Sequence, residues 1–372
     1  MKSIEVYLQY PWKFPDSPYY KYLVQNPPEK VDYINARKES FGLIASKKKF
    51  ALSNKLKAEI RRALCVLNMP AINIHFTKSK EHFNLIHCAH CLSSNKEHWV
   101  MDIEGTWQFL VSGKRNEFGE RLVKKILLKE NCKKIMPWTN EVKKEILRIF
   151  PDKKIKDKIE TIYPAVPLPK YKKIKHKEIN LLFVARYFYA KGGLETLEAF
   201  DYLTKKYNNV NALFISQVPK EFLKKYENNK KIKFYNLMPQ DKLFKEIYPK
   251  ADIFVYPGYS DSFGFALLEA MSFGLPIVTV DAFARKEIVE DGKNGFVIGK
   301  PKMKWRKGAP IIKERDRKRL IQNIIKKTSL LIENKKLREK MGKEGLKQVS
   351  QGKFSIKERN EKLRKIYEEA IR

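Results

Sequence analysis

The chain has 372 residues, and 77 Lys and Arg against 42 Asp and Glu give it a formal charge of +35. Hydrophobic residues make up 43 % and aromatics 12 %, enough apolar side chain to build cores, which excludes a disordered tail protein. The 16 Gly and 18 Pro are ordinary numbers and exclude collagen-like and low-complexity chains. At about 100–200 residues per domain, two domains are expected.

In chain order, SIEVYLQY (3–10) predicts an opening strand and KLKAEIRRALCVL (55–67) an amphipathic helix. AINIHF (71–76), FNLIHCA (83–89) and EHWVMDI (97–103) are short apolar runs of strand length. Strands interleaved with helices imply a parallel sheet covered on both faces. IYPAVPLPKYKKIKHKEIN (162–180) carries prolines at 164, 167 and 169 and a Lys-rich tail, and it reads as an interdomain linker with a hinge at 164–170. The alternation then restarts with strand NLLFVAR (180–186), helix GGLETLEAFDYLTKKY (192–207), strands NALFISQ (211–217) and IKFYN (232–236), helix DKLFKEIY (241–248) and strand ADIFVYP (251–257). Helix FGFALLEAMS (263–272), strand PIVTV (276–280), helix ARKEIVED (284–291) and strand NGFVIG (294–299) follow, and two charged helices near 315–349 and 355–371 close the chain. Two doubly wound α/β domains joined by a hinge would place ligands at the strand C-termini and favour an enzyme acting between domains.

Four cysteines (Cys65, Cys88, Cys91, Cys132) do not make a disulfide framework. The opening MKSIEVYLQYPWKF has no apolar run of signal-peptide type, and nowhere do about 18 apolar residues run uninterrupted. The expected location is a reducing cytoplasm, free or at the inner face of the cell membrane. Positive charge is spread over both halves, the mark of a solvated Lys-rich surface. Lys300 to Arg319 (KPKMKWRKGAPIIKERDRKR) stands out, with ten basic and two acidic residues around Trp305, Ile311 and Ile312. It reads either as a solvated loop or as a peripheral contact with an anionic membrane, since each Lys or Arg beside acidic lipid gains roughly 1 kcal/mol.

The chemistry concentrates in Pro257 to Val278, PGYSDSFGFALLEAMSFGLPIV. After the buried strand ADIFVYP comes a turn at Gly258-Tyr259-Ser260, and Asp261 or Ser262 can cap the helix that starts at Gly264. Gly274 followed by Pro276 ends that helix. The helix start offers unpaired N–H groups and a positive dipole end, which suit a phosphate, and Gly264 lets that ligand approach the backbone. Glu269 lies about 7–8 Å further along the axis, where a ribose would lie if a diphosphate occupied the helix start.

The pattern D-S-F-G-F-x-x-L-E-A-M-x-x-G-x-P-I-V resembles the donor-site signature of retaining glycosyltransferases of family 4, which have the GT-B fold. The resemblance implies two Rossmann-like doubly wound domains facing each other across a cleft: 1–165 for the acceptor, 166–350 for the nucleotide-sugar donor, and 351–372 as a helix returning to the first domain. The family's two acidic residues, separated by seven, fall on Asp261 and Glu269. Aspartate stands where glutamate is usual and is one methylene shorter, while Glu269 takes the role of holding the ribose hydroxyls. The amides of Phe265, Ala266 and Leu267, beside Gly264, would meet the distal phosphate or the sugar. NLLFVARYFYAKGGLETLEAF resembles the family's strand ending in G-R, then K-G and a helix, with Ala185 in place of the glycine. Arg186 and Lys191 keep the spacing and would neutralise the donor diphosphate as the sugar leaves. RKEIVEDGKNGFVI matches the family's E-I-V-x-D-G element and places Glu287 near the site entrance.

The opening loop Tyr10 to Tyr20 has no glycine; it is either a Pro-rich loop packed on the domain edge or an aromatic platform for sugars, with Lys13 on a phosphate. WVMDIEGTW places Glu104 where many family members carry a catalytic-site histidine, and Asp102 two residues earlier on the same face. These are structural acids or groups that bind the donor sugar or assist the acceptor hydroxyl. His87-Cys88-Ala89-His90-Cys91 raises zinc, but the second Cys pair of a structural site is missing, and His90 reads instead as an acceptor-side candidate. No phosphate loop, nucleophile elbow, H-E-x-x-H or D-x-D occurs, so no metal and no cofactor are expected.

The expectation is a metal-independent retaining glycosyltransferase. It would move a sugar from a nucleotide diphosphate sugar, UDP being the commonest carrier in the family, to a hydroxyl of a glycan or lipid-linked acceptor. The rivals are a GT-B nucleotide-sugar epimerase and, from another class, a basic nucleic-acid-binding protein. The latter has no recognition motif here, so nucleic acid is not an expected partner.

Overall fold

The computed structural model describes residues 3–9, 18–36, 59, 63, 66, 70–110, 116–306 and 309–372. Lys13, Cys65, most of the opening loop and nearly all of the helix expected over 55–67 lie outside the described residues. The chain divides into one unit of Met1–Ala165 with Ile356–Arg372 and a second of Val166–Ser355.

In the first unit, β1 (Ile4–Gln9), helix α1 (Pro18–Gln25), β2 (Val31–Tyr33), β3 (Ile74–His75), β4 (Leu85–Ala89), β5 (Leu92–Ser93), β6 (Trp99–Ile103), α2 (Glu117–Leu128), β7 (Cys132–Pro137), α3 (Asn140–Ile149) and α4 (Lys153–Lys158) follow in order. Five strands pair in parallel in the order β2-β1-β4-β6-β7. The strand order reverses between β1 and β4, so polar side chains just beyond β4 and β6 stand near a topological switch point. β4 and β6 are buried along their whole length, as parallel strands covered on both faces must be. Trp99, Met101, Val123, Leu127, Ile135 and Ile146 form the core behind them. AINIHF is a strand only at Ile74–His75, paired with β5 in a separate small sheet. The Asn73 side chain turns to the carbonyls of His90 and Gln108 and makes the segment a brace for the loops beyond β4 and β6.

The second unit holds β8 (Ile179–Ala185), α5 (Gly193–Lys206), β9 (Val210–Ser216), α6 (Lys220–Lys225), β10 (Ile232–Tyr235), β11 (Ile253–Tyr256), α7 (Phe265–Ser272), β12 (Ile277–Val280), α8 (Arg285–Ile288), β13 (Gly295–Ile298), β14 (Met303–Arg306), β15 (Ala309–Ile312), α9 (Glu314–Glu333) and α10 (Lys335–Ser350). Six parallel strands run β10-β9-β8-β11-β12-β13, with the reversal of order between β8 and β11. The loops leaving those two strands are the ones that carry Arg186, Lys191 and Asp261.

Three stretches differ from the sequence expectation. DKLFKEIY is not one helix: a turn over Gln240–Lys242 loosens into a π-type segment, Leu243–Ile247, and tightens into a 3₁₀ turn at Tyr248–Lys250. Pro249 lacks an N–H and its ring disfavours the preceding helical turn, which prevents a regular ending. The helix expected over 315–349 is two, because Asn334 leaves the helical region and caps the second by accepting from Leu337 N–H at 2.9 Å. Lys300 to Arg319 is neither loop nor helix throughout; β14 and β15 pair as an antiparallel hairpin ahead of α9.

The C-terminal helix Ile356–Ala370 belongs to the first unit, where it buries Leu363, Ile366 and Tyr367. Its Arg359 is fully buried and donates to the Asn26 carbonyl at 2.7 Å.

Candidate active site

In the second unit, the loops after β8 and β11 are stitched together. Gly258 N–H donates to the Lys191 carbonyl at 3.0 Å, and Ser260 N–H to that of Ala190 at 3.3 Å. Lys191 Nζ donates to the Ser260 carbonyl and stands 3.5 Å from Asp261 Oδ2. The helix α5 opens at Gly192, whose φ of +75° and a would-be Cβ only 2.6 Å from Pro257 exclude a larger residue. Arg186, just past β8, is exposed and Ala185 is buried. The second cation is therefore tied to the β11 loop, and the first is open to solvent.

Asp261 sits in that loop. Its Oδ2 accepts from Tyr256 Oη at 2.7 Å and from Arg285 Nη2 at 3.2 Å. Burial, with the Asp261 charge behind it, pushes the Tyr256 hydroxyl well above its ordinary range, so it stays protonated and donates. Gly264 caps α7 at φ +98°, and the helix proceeds through Phe265 and Ala266. The Leu267 N–H is closed onto the Gly264 carbonyl at 2.9 Å and its side chain is in the core, so of the three amides singled out this one is spent inside the helix. Glu269 is buried near the middle of α7: Oε1 accepts from Gln240 Nε2 at 2.5 Å, and Oε2 from Tyr248 Oη at 3.1 Å. Glu287 is half-buried in α8, two residues beyond Arg285. Arg285, Gln240 and Tyr248 are the members that sequence reasoning missed.

In the first unit, parallel register sets Ala89 of β4 against Asp102 of β6, and this brings His87, His90 and Asp102 together. Asp102 is 1 % exposed. His87 Nε2 lies 3.0 Å from its Oδ2 and His90 Nδ1 2.9 Å from its Oδ1, while Tyr20 Oη donates to Oδ1 at 3.4 Å. His87 Nδ1 meets Tyr367 Oη at 2.7 Å, and Tyr367 meets Tyr33 Oη at 3.0 Å. Trp138 and Tyr20 pack edge-on to the His90 ring, with centroids at 4.9 and 5.3 Å. Burial alone would raise the Asp102 carboxyl, but the His90 charge and the hydrogen bond from His87 outweigh it and hold it well below the usual carboxylate range. Burial would lower His90, and the Asp102 charge, with Glu104 adding to it, raises it instead. Glu104 itself is half-buried, its backbone N–H bonded to Gln108 Oε1 at 2.8 Å.

The contribution of His90 to stability is present below its unfolded value near 6.5 and is lost as pH rises through the higher folded value. That of Asp102 is present above about pH 4 and is lost in acid. The melting temperature is therefore expected to decline as pH rises above the ordinary histidine range, and His90→Gln to flatten that decline. A slope unchanged by the substitution would refute the assignment.

Cys88, Cys91 and Cys132 are buried thiols, with burial raising Cys88 well above its usual range and Cys132 to about 12. Among the described residues, no group of three His, Cys, Asp or Glu side chains is arranged to hold a metal ion. None of the helices described is long and apolar enough to cross a membrane.

Residues 168–348 match the family described as glycosyl transferases group 1. The capsular polysaccharide biosynthesis glycosyltransferase CapM of Staphylococcus aureus is 26 % identical over 204 residues, 53 % of this chain and 48 % of its own. The chain spans about half the length of the curated relatives it matches. Among solved structures, a glycosyltransferase from Rickettsia africae ESF-5 superposes with a TM-score of 0.62 at 15 % identity, covering 100 % of this chain and 99 % of its own. Anabaena HepE, solved in complex with UDP and glucose, gives a TM-score of 0.59 at 13 % identity over 98 % of each chain. The fold is thus that of the GT-B glycosyltransferases, and the second unit is similar over residues 168–348 to the glycosyl transferases group 1 family.

Proposed function

We propose that the chain is a retaining glycosyltransferase that moves a sugar from a nucleotide diphosphate sugar, with UDP as carrier, onto a hydroxyl of a glycan or lipid-linked acceptor. The observation that carries this reading is the convergence of Lys191, Asp261 and the α7 start at the switch point of the second unit, with Glu269 held one turn further in. Matching of this same segment to a glycosyltransferase family supports it, and the HepE complex with UDP and glucose supports the choice of carrier.

In the proposed reaction the bond between the sugar C1 and the diphosphate oxygen breaks, and the acceptor oxygen bonds C1 on the same face. The acceptor proton passes to the departing phosphate oxygen. Arg186 and Lys191 offset the charge that gathers there, together with the positive end of α7, so no metal or other cofactor is required. Asp261 faces the sugar and Glu269 holds the ribose; Glu104 and His90 are the acceptor-side groups of the first unit, with Asp102 buried behind His90, and Glu287 is an entrance group of the second.

A screen of UDP-, GDP- and ADP-sugars by thermal shift, run in EDTA, tests the donor reading. One nucleotide family should stabilise the chain, by about 2.7 kcal/mol at a hundredfold excess over Kd, and Arg186→Ala should abolish the shift. No stabilisation by any of them removes the donor site.

The hairpin supports a peripheral contact at the cytoplasmic membrane face. Trp305 and Ile311 are 45 % and 51 % exposed there, and Lys304 stands opposite Ile311 across the ladder. An indole among cations can lodge at headgroup level while the cations meet lipid phosphate. The protein is expected to sediment with phosphatidylglycerol vesicles at low salt and not with phosphatidylcholine, and Trp305→Ala to weaken the binding. Failure to sediment with the anionic vesicles ends the membrane proposal.

A further inference from the structure

Arg285 opens the short helix α8, yet its side chain is fully buried and runs beneath the loop that leaves β11. Nη1 donates to the Phe263 carbonyl at 2.7 Å. Nη2 donates to the Gly258 carbonyl at 3.3 Å and to Asp261 Oδ2 at 3.2 Å. The Tyr256 ring, 5.4 Å from the guanidinium carbon, closes the other side and sends its hydroxyl to the same Oδ2. One planar cation thus gathers three acceptors from one loop, a geometry that a lysine ammonium does not reproduce.

The loop's glycines are shaped around that cation. A Cβ at Gly258 would lie 2.7 Å from Nη2, and one at Gly264 2.6 Å from Nη1; both residues also have positive φ, +58° and +98°. Burying a guanidinium is costly unless it is paired, and an apolar side chain of similar volume would fill the space at less cost. Arg285 Nε has no hydrogen-bond partner among the described residues, and every side-chain bond given for this arginine goes to the loop.

Asp261 shows what the arrangement achieves. Tyr256, Arg285 and Lys191 all lie on Oδ2, and Oδ1 takes no partner among the described residues. We infer that Arg285 is a positioning residue of the donor site, fixing Asp261 through one oxygen so that the other is presented to the donor's sugar, an inference that rests on the donor-site reading above. The shorter reach of an aspartate is met by anchoring it from below.

Calorimetry on the full chain tests this with UDP, GDP and ADP and with UDP-glucose, UDP-N-acetylglucosamine, GDP-mannose and ADP-glucose. The variants are Arg285→Lys, Asp261→Asn and the double variant, each first checked by a thermal melt. In the nucleotide family that binds, the sugar-bearing form should bind wild type about tenfold tighter than the bare diphosphate, the scale of one charge-assisted hydrogen bond. Arg285→Lys should lose that increment while its affinity for the bare diphosphate stays within about threefold. Asp261→Asn should lose the same increment, and the double variant should lose no more. Equal losses for the two ligands in Arg285→Lys, independent losses that multiply in the double variant, or a wild type with no sugar increment would each overturn the role of Arg285 while leaving the nucleotide site standing. A wild type that binds no nucleotide overturns the donor site and this inference with it. If Arg285→Lys does not fold, Asp261→Asn still decides whether the increment resides on that carboxylate.

Discussion

Replacing Asp102 with alanine is expected to destabilise the first unit by about 3–5 kcal/mol, the range seen when one partner of a buried ion pair is removed. The carboxylate accounts for both histidines that flank it: His87 Nε2 at 3.0 Å and His90 Nδ1 at 2.9 Å. Without it, His87 loses a partner inside the core, and His90, held among Tyr19, Tyr20 and Trp138, must either discharge or stay charged without a counter-ion. His90 also sits at φ +59°, a conformation that costs a non-glycine residue roughly 1–2 kcal/mol. Its ion pair with Asp102 helps to hold it there. The loss should also reach the C-terminal helix, because His87 Nδ1 meets Tyr367 at 2.7 Å and Tyr367 continues to Tyr33. Whole-domain stabilities are about 5–15 kcal/mol, so the effect is a large part of the total.

Urea unfolding followed by tryptophan fluorescence measures it, since Trp99 and Trp138 are buried in this unit and Trp138 packs on the His90 ring. Asp102→Asn keeps the shape and some of the hydrogen bonds but removes the charge, and it should fall between wild type and alanine. An alanine variant within about 1 kcal/mol of wild type would show that the cluster is not the keystone the geometry makes it.

The second unit was largely legible because its signals are local. INLLFVA and IFVY are uninterrupted apolar runs, as fully buried parallel strands are, and the groups of interest follow directly at the strand ends. Strand order 3-2-1-4-5-6, counted from β8, then brings the Arg186–Lys191 and Asp261 loops side by side. Arg285 was not legible: within RKEIVED it reads as one more charge on a short exposed helix, and its burial depends on a loop more than 20 residues earlier. Gln240 and Tyr248 meet Glu269 from a stretch broken by Pro249, where helical spacing no longer predicts which side chains share a face.

In the first unit, the C-x-x-C of Cys88 and Cys91 with two histidines raises zinc. The partner that gives those histidines a role is Asp102, which only the β4–β6 register supplies. The β14–β15 hairpin was missed because Pro310 argues against a strand. The structure accommodates it in a two-stranded ladder, opposite Trp305, where a missing N–H is tolerated.

Glu269→Ala is expected to weaken nucleotide binding about a hundredfold, corresponding to two hydrogen bonds to a charged acceptor at about 1.5 kcal/mol each. The ribose role assigned to this carboxylate requires that it be held still before the ligand arrives, and the structure supplies the means. Gln240 Nε2 holds one oxygen at 2.5 Å and Tyr248 Oη the other at 3.1 Å, within an environment that leaves Glu269 only 7 % exposed. A ligand that meets a carboxylate already oriented loses less conformational freedom on binding, so much of the hydrogen-bond energy remains as affinity. Glu269→Gln preserves shape and should cost about tenfold, the difference between a charged and a neutral acceptor. Gln240→Ala should cost less again, because Tyr248 still restrains the side chain. Calorimetric titration with UDP, beside Arg186→Ala as the variant that loses a cation, separates the two halves of the site. If Glu269→Ala binds UDP as wild type does while Arg186→Ala does not, the diphosphate end of the reading survives and the ribose end is wrong; the carboxylate then serves only to pin Gln240 and Tyr248 across the irregular segment that Pro249 creates.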